Sequence, residues 1–390
     1  MDDKQLTLEE KWKLDIDSYK KSGGMRVTTP QCRKCKYWIK TDALHCGQYQ
    51  KSNKPSSVLH AEKECPRFSS IDELDISASG DIENRIKGGL WGSIVGDALG
   101  VPLEFSDRLT RKKDPVHEMR AYGTYSQPFG TWSDDSSMML CLVESIIEGL
   151  SYERLSRKFI DFADDGYMTP YDRVFDIGNA VSKAIIKMKS GLSPIECGGE
   201  SEYDNGNGSL MRILPLAFFL RAKTTEEQIR VVEDVSSITH RHPISKFACL
   251  FYVKMAMSLL DGKDKIEAYR LAIDYSKNAL CDSYFDVFQN FERVLNGNIQ
   301  RIKIDKIQSS GYVIDTLEAA LWCFINTRSY SECVFQAINL GGDTDTIACI
   351  AGGLAGIHYG LRSIPANWIQ TLAKKHNINS MIDKFIASVQ

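Results

Sequence analysis

Apolar residues recur at three- and four-residue spacing through most of the chain beyond residue 82. The runs at 83–99, 137–149, 151–164, 178–189, 209–221, 225–238, 244–260, 264–279, 281–295, 313–325, 330–339 and 346–359 predict helices, and strand-like alternation is scarce. Two runs carry no polar face. One is Ile347-Ala348-Cys349-Ile350-Ala351-Gly352-Gly353-Leu354-Ala355-Gly356, which follows Gly341-Gly342-Asp343-Thr344-Asp345-Thr346. The other is Met138 to Ile147, which follows Gly130-Thr131-Trp132-Ser133-Asp134-Asp135-Ser136-Ser137. A helix that is apolar all round is buried all round. The pattern therefore predicts an all-α orthogonal bundle, with its motif-bearing loops gathered at one mouth.

The first 81 residues read differently. Residues 4–21 place Leu8, Trp12 and Tyr19 on one helical face, with Thr7 as a cap and Ser22-Gly23-Gly24 as a stop. An arm over 1–24 follows, which packs on its own protein, docks a partner or covers an active site. Residues 25–70 hold Cys32-Arg33-Lys34-Cys35, then Cys46, then Cys65. The close pair offers two thiolates to one ion, and Cys46 and Cys65 complete a tetrahedral zinc site, with His45 or His60 as substitutes for a distal ligand. An iron–sulfur cluster uses the same ligands. A short segment poor in aliphatic residues folds only with such a staple. Residues 71–81 read as a linker, and 82–390 as the main domain.

Charge narrows the partners. The whole chain carries −3, yet residues 26–67 hold nine Lys/Arg against three Asp/Glu, which is +6 and leaves −9 for the rest. That balance does not point to nucleic acid as a partner. The N-terminus lacks a signal-peptide pattern, and the run after Thr346 is too short to span a bilayer. Eleven cysteines without such a signal point to a reducing, cytoplasmic setting rather than a disulfide scaffold.

Candidate chemistry sits at the mouths of the two buried helices. Asp343, Asp345 and Thr346 offer three oxygen ligands within four residues, beside two glycines that free the backbone. Ser133, Asp134 and Asp135 offer three more. Adjacent aspartates repel unless a cation or donors offset them. Hard oxygen ligands suit Mg²⁺, Mn²⁺ or Ca²⁺, and six such groups suffice for two ions. The competing reading of each motif is an ordinary helix cap.

Taken together, six blocks resemble the ADP-ribosylglycohydrolase family. They are Lys87 to Phe105, the Ser133-Asp134-Asp135 motif, Gly206-Asn207-Gly208-Ser209-Leu210-Met211-Arg212, the pair Thr239-His240-Arg241-His242-Pro243 and Gly311 to Ala320, and Gly341 to Thr346. The resemblance covers about residue 82 to the C-terminus; Ser133 stands where many relatives carry Thr. It implies that family's helical bundle and a hydrolase that removes ADP-ribose from a modified protein side chain, with arginine the favoured linkage. Two Mg²⁺ or Mn²⁺ ions would be held by Ser133, Asp134, Asp135, Asp343, Asp345 and Thr346. Glu104 would be a metal or flap residue. Asp97, Asn207, Gly208, Ser209, Met211, His240 and Tyr312 would line the ligand site. The general base stays open among Asp134, Asp135, Asp345 and Glu104. An alternative is a binding or immunity protein that neutralises an ADP-ribosylating toxin.

Overall fold

The computed structural model describes Leu74, Ser77, Ala78 and residues 80–389. The chain divides into two compact units, Met1–Asp75 and Ile76–Gln390. The arm, the cysteine site at Cys32, Cys35, Cys46 and Cys65, and most of the linker lie outside the described residues.

The second unit is helical, with two isolated β-bridges and no strand among the described residues. Its longer helices are α1 (Asp81–Gly100), α2 (Asp134–Ile147), α3 (Tyr152–Asp165), α4 (Asn179–Lys189), α5 (Thr225–Ser237), α6 (Pro243–Leu260), α7 (Lys265–Ala279), α8 (Val313–Asn326), α9 (Tyr330–Asn339), α10 (Thr344–Tyr359) and α11 (Lys375–Val389). Most expected helices form. Two differ: 209–221 is turns around the short helix Pro215–Phe219, and 281–295 breaks into short α and 3-10 pieces. Pro215 explains the first, because it lacks an N–H and starts a helix readily. Helix α11 was not among the expected runs.

Helix α10 is the axis of the unit. Every residue from Thr344 to Ile357 is buried, as a helix without a polar face requires. It packs against α1, α2, α6, α8 and α9. Its contact with α1 is set by small residues at four-residue spacing on both helices, running antiparallel. A Cβ added to Gly88 would lie 2.2 Å from the Gly356 oxygen, at Gly92 2.4 Å from the Gly352 oxygen, and at Gly96 2.1 Å from the Ala348 oxygen. At Gly100 it would lie 2.3 Å from Asp345 Cα. The two backbones therefore touch along four turns. Tyr330 and Tyr252 fasten the pair, donating to the Gly92 and Ile350 carbonyls at 2.7 and 3.0 Å.

Helix α6 is the one described helix long and apolar enough to cross a membrane, and 83% of it is buried within the fold.

Candidate active site

Because α1 and α10 run antiparallel, the last turn of α1 meets the first turn of α10, and α2 begins beside both. Asp97 comes from α1, Ser133 to Asp135 from the head of α2, and Asp343 to Thr346 from the head of α10. Three carboxylates, Asp97, Asp135 and Asp345, have oxygens within 4.8 Å of one another; so do Glu104, Asp343 and Asp345. Asp345 belongs to both groups. Acids at two helix N-termini also lie in favourable dipole fields.

Local structure holds each group in place. Ser133 caps α2, its Oγ accepting from the Asp135 amide at 3.3 Å and donating to Asp135 Oδ2 at 3.1 Å. Thr346 Oγ1 donates to the same carboxylate at 3.3 Å. Asp343 makes no capping bond, so the helix-cap reading does not account for it. Its Oδ2 instead accepts from Asn207 Nδ2 at 2.7 Å. Gly341 and Gly342 have φ of +73° and +76°, and added Cβ atoms would meet the Ser106 and Ser309 carbonyl oxygens at 2.5 and 2.0 Å. Only glycine accepts that geometry. The turn is tied to the Glu104 loop by Phe105 N donating to the Gly342 oxygen at 2.7 Å and Gly342 N to the Ser106 oxygen at 2.8 Å.

The electrostatics are those of crowded, dry acids. Burial, before mutual repulsion, pushes Asp134, Asp135 and Asp345 well above the usual carboxylate range. It raises Asp97 to about 6, against four hydrogen bonds from Ser133 and Ser136 that favour its charged form. Burial and the facing acids Asp176, Asp343 and Asp97 raise Glu104 to about 8. Two carboxylate oxygens, Glu104 Oε2 and Asp343 Oδ1, are buried with no hydrogen-bond partner. Such orphans are costly unless a cation offsets them. An all-oxygen donor set with two orphaned oxygens fits hard divalent ions.

The remaining expected residues are placed as follows. Asp134 is buried at the head of α2 but stands outside both three-carboxylate groups. Asp97, expected to touch ligand, is fully buried and accepts from the Ser133 and Ser136 amides at 2.9 and 3.0 Å, which makes it the floor of the site. Asn207 bridges Asp343 and Thr316 Oγ1. Gly208 lies on His240, whose Cε1 would be 2.8 Å from an added Cβ. His240 is 1% exposed, pairs with Thr239 Oγ1 at 2.8 Å, and burial drives its pKa down to about 3. Ser209 is fully buried beside Ser236. His240 thus packs against Gly208 of the glycine loop, and Ser209 ends that loop as a buried hydroxyl. Met211 is buried and its carbonyl faces Cys349. Tyr312, 38% exposed, stands at the head of α8 against Gly206.

Two residues carry no expected role in the sequence: Asp176, and Arg212, which only ends the Gly206–Arg212 block. Asp176, on the loop before α4, faces Asp134 and Glu104, and burial raises its pKa. Its own stretch, Val174-Phe175-Asp176-Ile177-Gly178, gave only a loop acid before a glycine. Arg212 is a fully buried guanidinium that donates to the Gly208 and Val235 carbonyls and lies 5.0 Å from the Phe159 ring.

The family model for ADP-ribosylglycohydrolase matches residues 78–390. The chain belongs to the ADP-ribosylglycohydrolase family. It is a glycohydrolase of all-α architecture. It is 33% identical over 308 residues to an ADP-ribosylarginine hydrolase, Tri1, of Serratia proteamaculans (strain 568), covering 77% of this chain and 78% of that one. It is 28% identical over 315 residues to an ADP-ribosyl-(dinitrogen reductase) glycohydrolase of Rhodospirillum rubrum, covering 78% and 97%. A solved structure described as an ADP-ribosylglycohydrolase-related protein complex superposes with a TM-score of 0.67 at 26% identity, over 80% of this chain and 99% of that one.

Proposed function

We propose that this glycohydrolase is metal-dependent and releases ADP-ribose from modified arginine on a protein. The observation that carries the reading is the pair of three-carboxylate groups joined at Asp345, with Glu104 Oε2 and Asp343 Oδ1 lacking partners. The arginine linkage is supported by the relatives of that name and by the excess of carboxylates over cations at the mouth, which suits a guanidinium.

Asp97, Asp135 and Asp345 would hold one divalent ion, Mg²⁺ or Mn²⁺, and Glu104, Asp343 and Asp345 the other; Ser133 and Thr346 would steady Asp135 through their hydroxyls. When bound, the ions supply positive charge that orients a ribose diol and acidifies water. Cleavage breaks the bond between C1″ and a guanidine nitrogen through an oxocarbenium-like state. A water oxygen bonds to C1″, and one water proton ends on the departing nitrogen. Asp134, outside both groups, is the carboxylate we assign to carry that proton. Asp176, across from Asp134, faces the guanidinium. The Gly206 to Ser209 loop, backed by His240 and Arg212, offers backbone N–H groups to a diphosphate.

The setting would be cytoplasmic, in keeping with the seven unpaired cysteines among the described residues. The alternative of a toxin-neutralising binding protein draws on residues 1–70, which lie outside the described residues, and no specific observation favours it.

The test is incubation with arginine-linked and serine-linked ADP-ribosyl proteins, with Mg²⁺ or with EDTA. Release from arginine that EDTA abolishes is expected. Release from serine alone, or release unchanged by EDTA, overturns the reading.

A further inference from the structure

Asp343 stands directly before α10, and no capping bond ties its side chain to that helix. Its two carboxylate oxygens differ. Oδ2 accepts from Asn207 Nδ2 at 2.7 Å, while Oδ1 is buried with no hydrogen-bond partner. Pinning one oxygen of a carboxylate fixes where the other points, so Asn207 governs the direction of the unpartnered one.

Asn207 holds Asp343 because it is held itself. A carboxylate only accepts, so the amide must turn its nitrogen towards Asp343. The same nitrogen donates to Thr316 Oγ1 at 3.0 Å. Thr316 gives its own proton to the Ser310 carbonyl at 3.0 Å, so towards Asn207 it can only accept. Both protons of the Asn207 amide are thereby taken. What remains is a carbonyl oxygen, which cannot donate to a diphosphate.

The backbone closes the arrangement. Three consecutive carbonyls receive from three different elements: Ser309 from the Asp343 amide at 2.9 Å, Ser310 from the Thr316 hydroxyl, and Gly311 from the Asn207 amide at 3.1 Å. Val313 N donates to the Asn205 carbonyl at 3.0 Å. The contact is close, since a Cβ added to Gly311 would lie 3.2 Å from Asp343 Oδ2. The glycine loop, residues 309–313 and the head of α10 are thus one hydrogen-bonded unit with the Asn207 side chain at its centre.

We propose that Asn207 is a positioning residue rather than a ligand contact: from the glycine loop it holds Asp343 Oδ2, so that Oδ1 is presented to a divalent ion together with Glu104 and Asp345. This deepens the metal-dependent reading above and rests on it. One side chain then sets both the loop offered to a diphosphate and a carboxylate offered to an ion.

The experiment uses the full chain, stripped of metal. Mg²⁺ is titrated by calorimetry, with no nucleotide present, into wild type, Asn207→Ala, Thr316→Val and Thr316→Ser, with thermal melting in EDTA alongside. Asn207→Ala should bind Mg²⁺ about tenfold more weakly, the usual cost of losing a partner that orients a metal ligand. Thr316→Val removes the hydroxyl behind Asn207 and should also bind more weakly than wild type. Thr316→Ser loses a buried methyl and should melt lower, yet it keeps the hydroxyl and should bind Mg²⁺ like wild type. That pair separates positioning from packing. If folded Asn207→Ala binds Mg²⁺ like wild type, the proposal falls. If Asn207→Ala does not fold, the Thr316 pair decides, and equal Mg²⁺ binding by Val and Ser overturns the proposal. It falls together with the metal-dependent reading if the wild-type chain takes up no Mg²⁺. A wild-type chain that binds Mg²⁺ but releases no ADP-ribose would instead overturn the proposed function and leave the role of Asn207 standing.

Discussion

Replacing Gly96 with Ala tests whether backbone contact between α1 and α10 sets the geometry of the site. The added carbon would lie 2.1 Å from the Ala348 oxygen and 2.6 Å from its carbonyl carbon, whereas ordinary contact begins at 3.4 Å. The shortfall is 3.4 − 2.1, or 1.3 Å, and both atoms met belong to main chain that cannot swing aside. The helices must part by roughly 1 Å. Overpacking of this kind costs about 1–3 kcal/mol, and the better helix propensity of Ala returns up to about 1 kcal/mol. A net loss of about 1–2 kcal/mol corresponds to a fall of about 2–3 °C in Tm for a unit of this size. The functional loss should be larger. Asp97 follows Gly96 directly, and Asp345 lies one turn before Ala348, so the shift opens the distance between them. Mg²⁺ tolerates little departure from ligand distances of about 2.0–2.1 Å. Hydrolysis should therefore fall at least about tenfold, and the Mg²⁺-induced rise in Tm should shrink. The assay is thermal melting of the full chain with and without Mg²⁺, plus ADP-ribose release. Gly80→Ala is the control, since nothing lies within 4 Å of its added carbon. A Gly96→Ala protein that melts, binds Mg²⁺ and hydrolyses like wild type would refute the reasoning.

Two further outcomes follow from the acids. Asp345→Asn removes the carboxylate common to both groups; it should cut hydrolysis by about a hundredfold or more and abolish the Mg²⁺ response. The metal-free variant should melt higher than wild type, because Asn replaces a buried carboxyl whose charged form is disfavoured by burial and by the neighbouring acids. The second concerns pH. Glu104 is raised from 4.5 to about 8 and Asp97 from 3.8 to about 6, so the folded chain binds more protons than the unfolded one between those values. The contribution of these two groups to the stability of the metal-free protein is therefore full below about pH 4 and is lost as pH rises towards 8. Melting in EDTA across that range should show Tm falling with pH, and Mg²⁺ should flatten the slope.

Much of the architecture was legible in the sequence because buried helices announce themselves. The run after Thr346 has no residue that asks for water, and its every position through Ile357 is buried. Both acid motifs stand at helix heads, where local sequence and structure coincide. What stayed hidden depends on contacts between distant segments. Asp176 has no local signature, since its place in the site exists only once its loop faces Glu104 and Asp134. Ser209 sits in the block that resembles a ligand loop and His240 in a separate one, and sequence alone does not show that both side chains are buried. Two further signals are present in the sequence. Gly88, Gly92, Gly96 and Gly100 keep strict four-residue spacing, the mark of a close helix crossing. Ile378, Ile382, Phe385 and Ile386 keep the spacing of an amphipathic helix, and they are the buried face of α11.

The pairing of α1 with α10 also bears on how the enzyme comes into being. Thr344 Oγ1 donates to the Gly100 carbonyl across 244 residues of chain, and Thr346 reaches Asp135 across 211. Contacts so remote in sequence are slow to form. On a ribosome adding about 5–20 residues per second, α1 would wait roughly 10–50 s for its partner. Until then its glycine face has nothing to rest on, and Asp97 and Asp135 have no Asp345 beside them. Catalytic competence is thus one of the last properties a newly made chain acquires, and a chain cut short before α10 should have none.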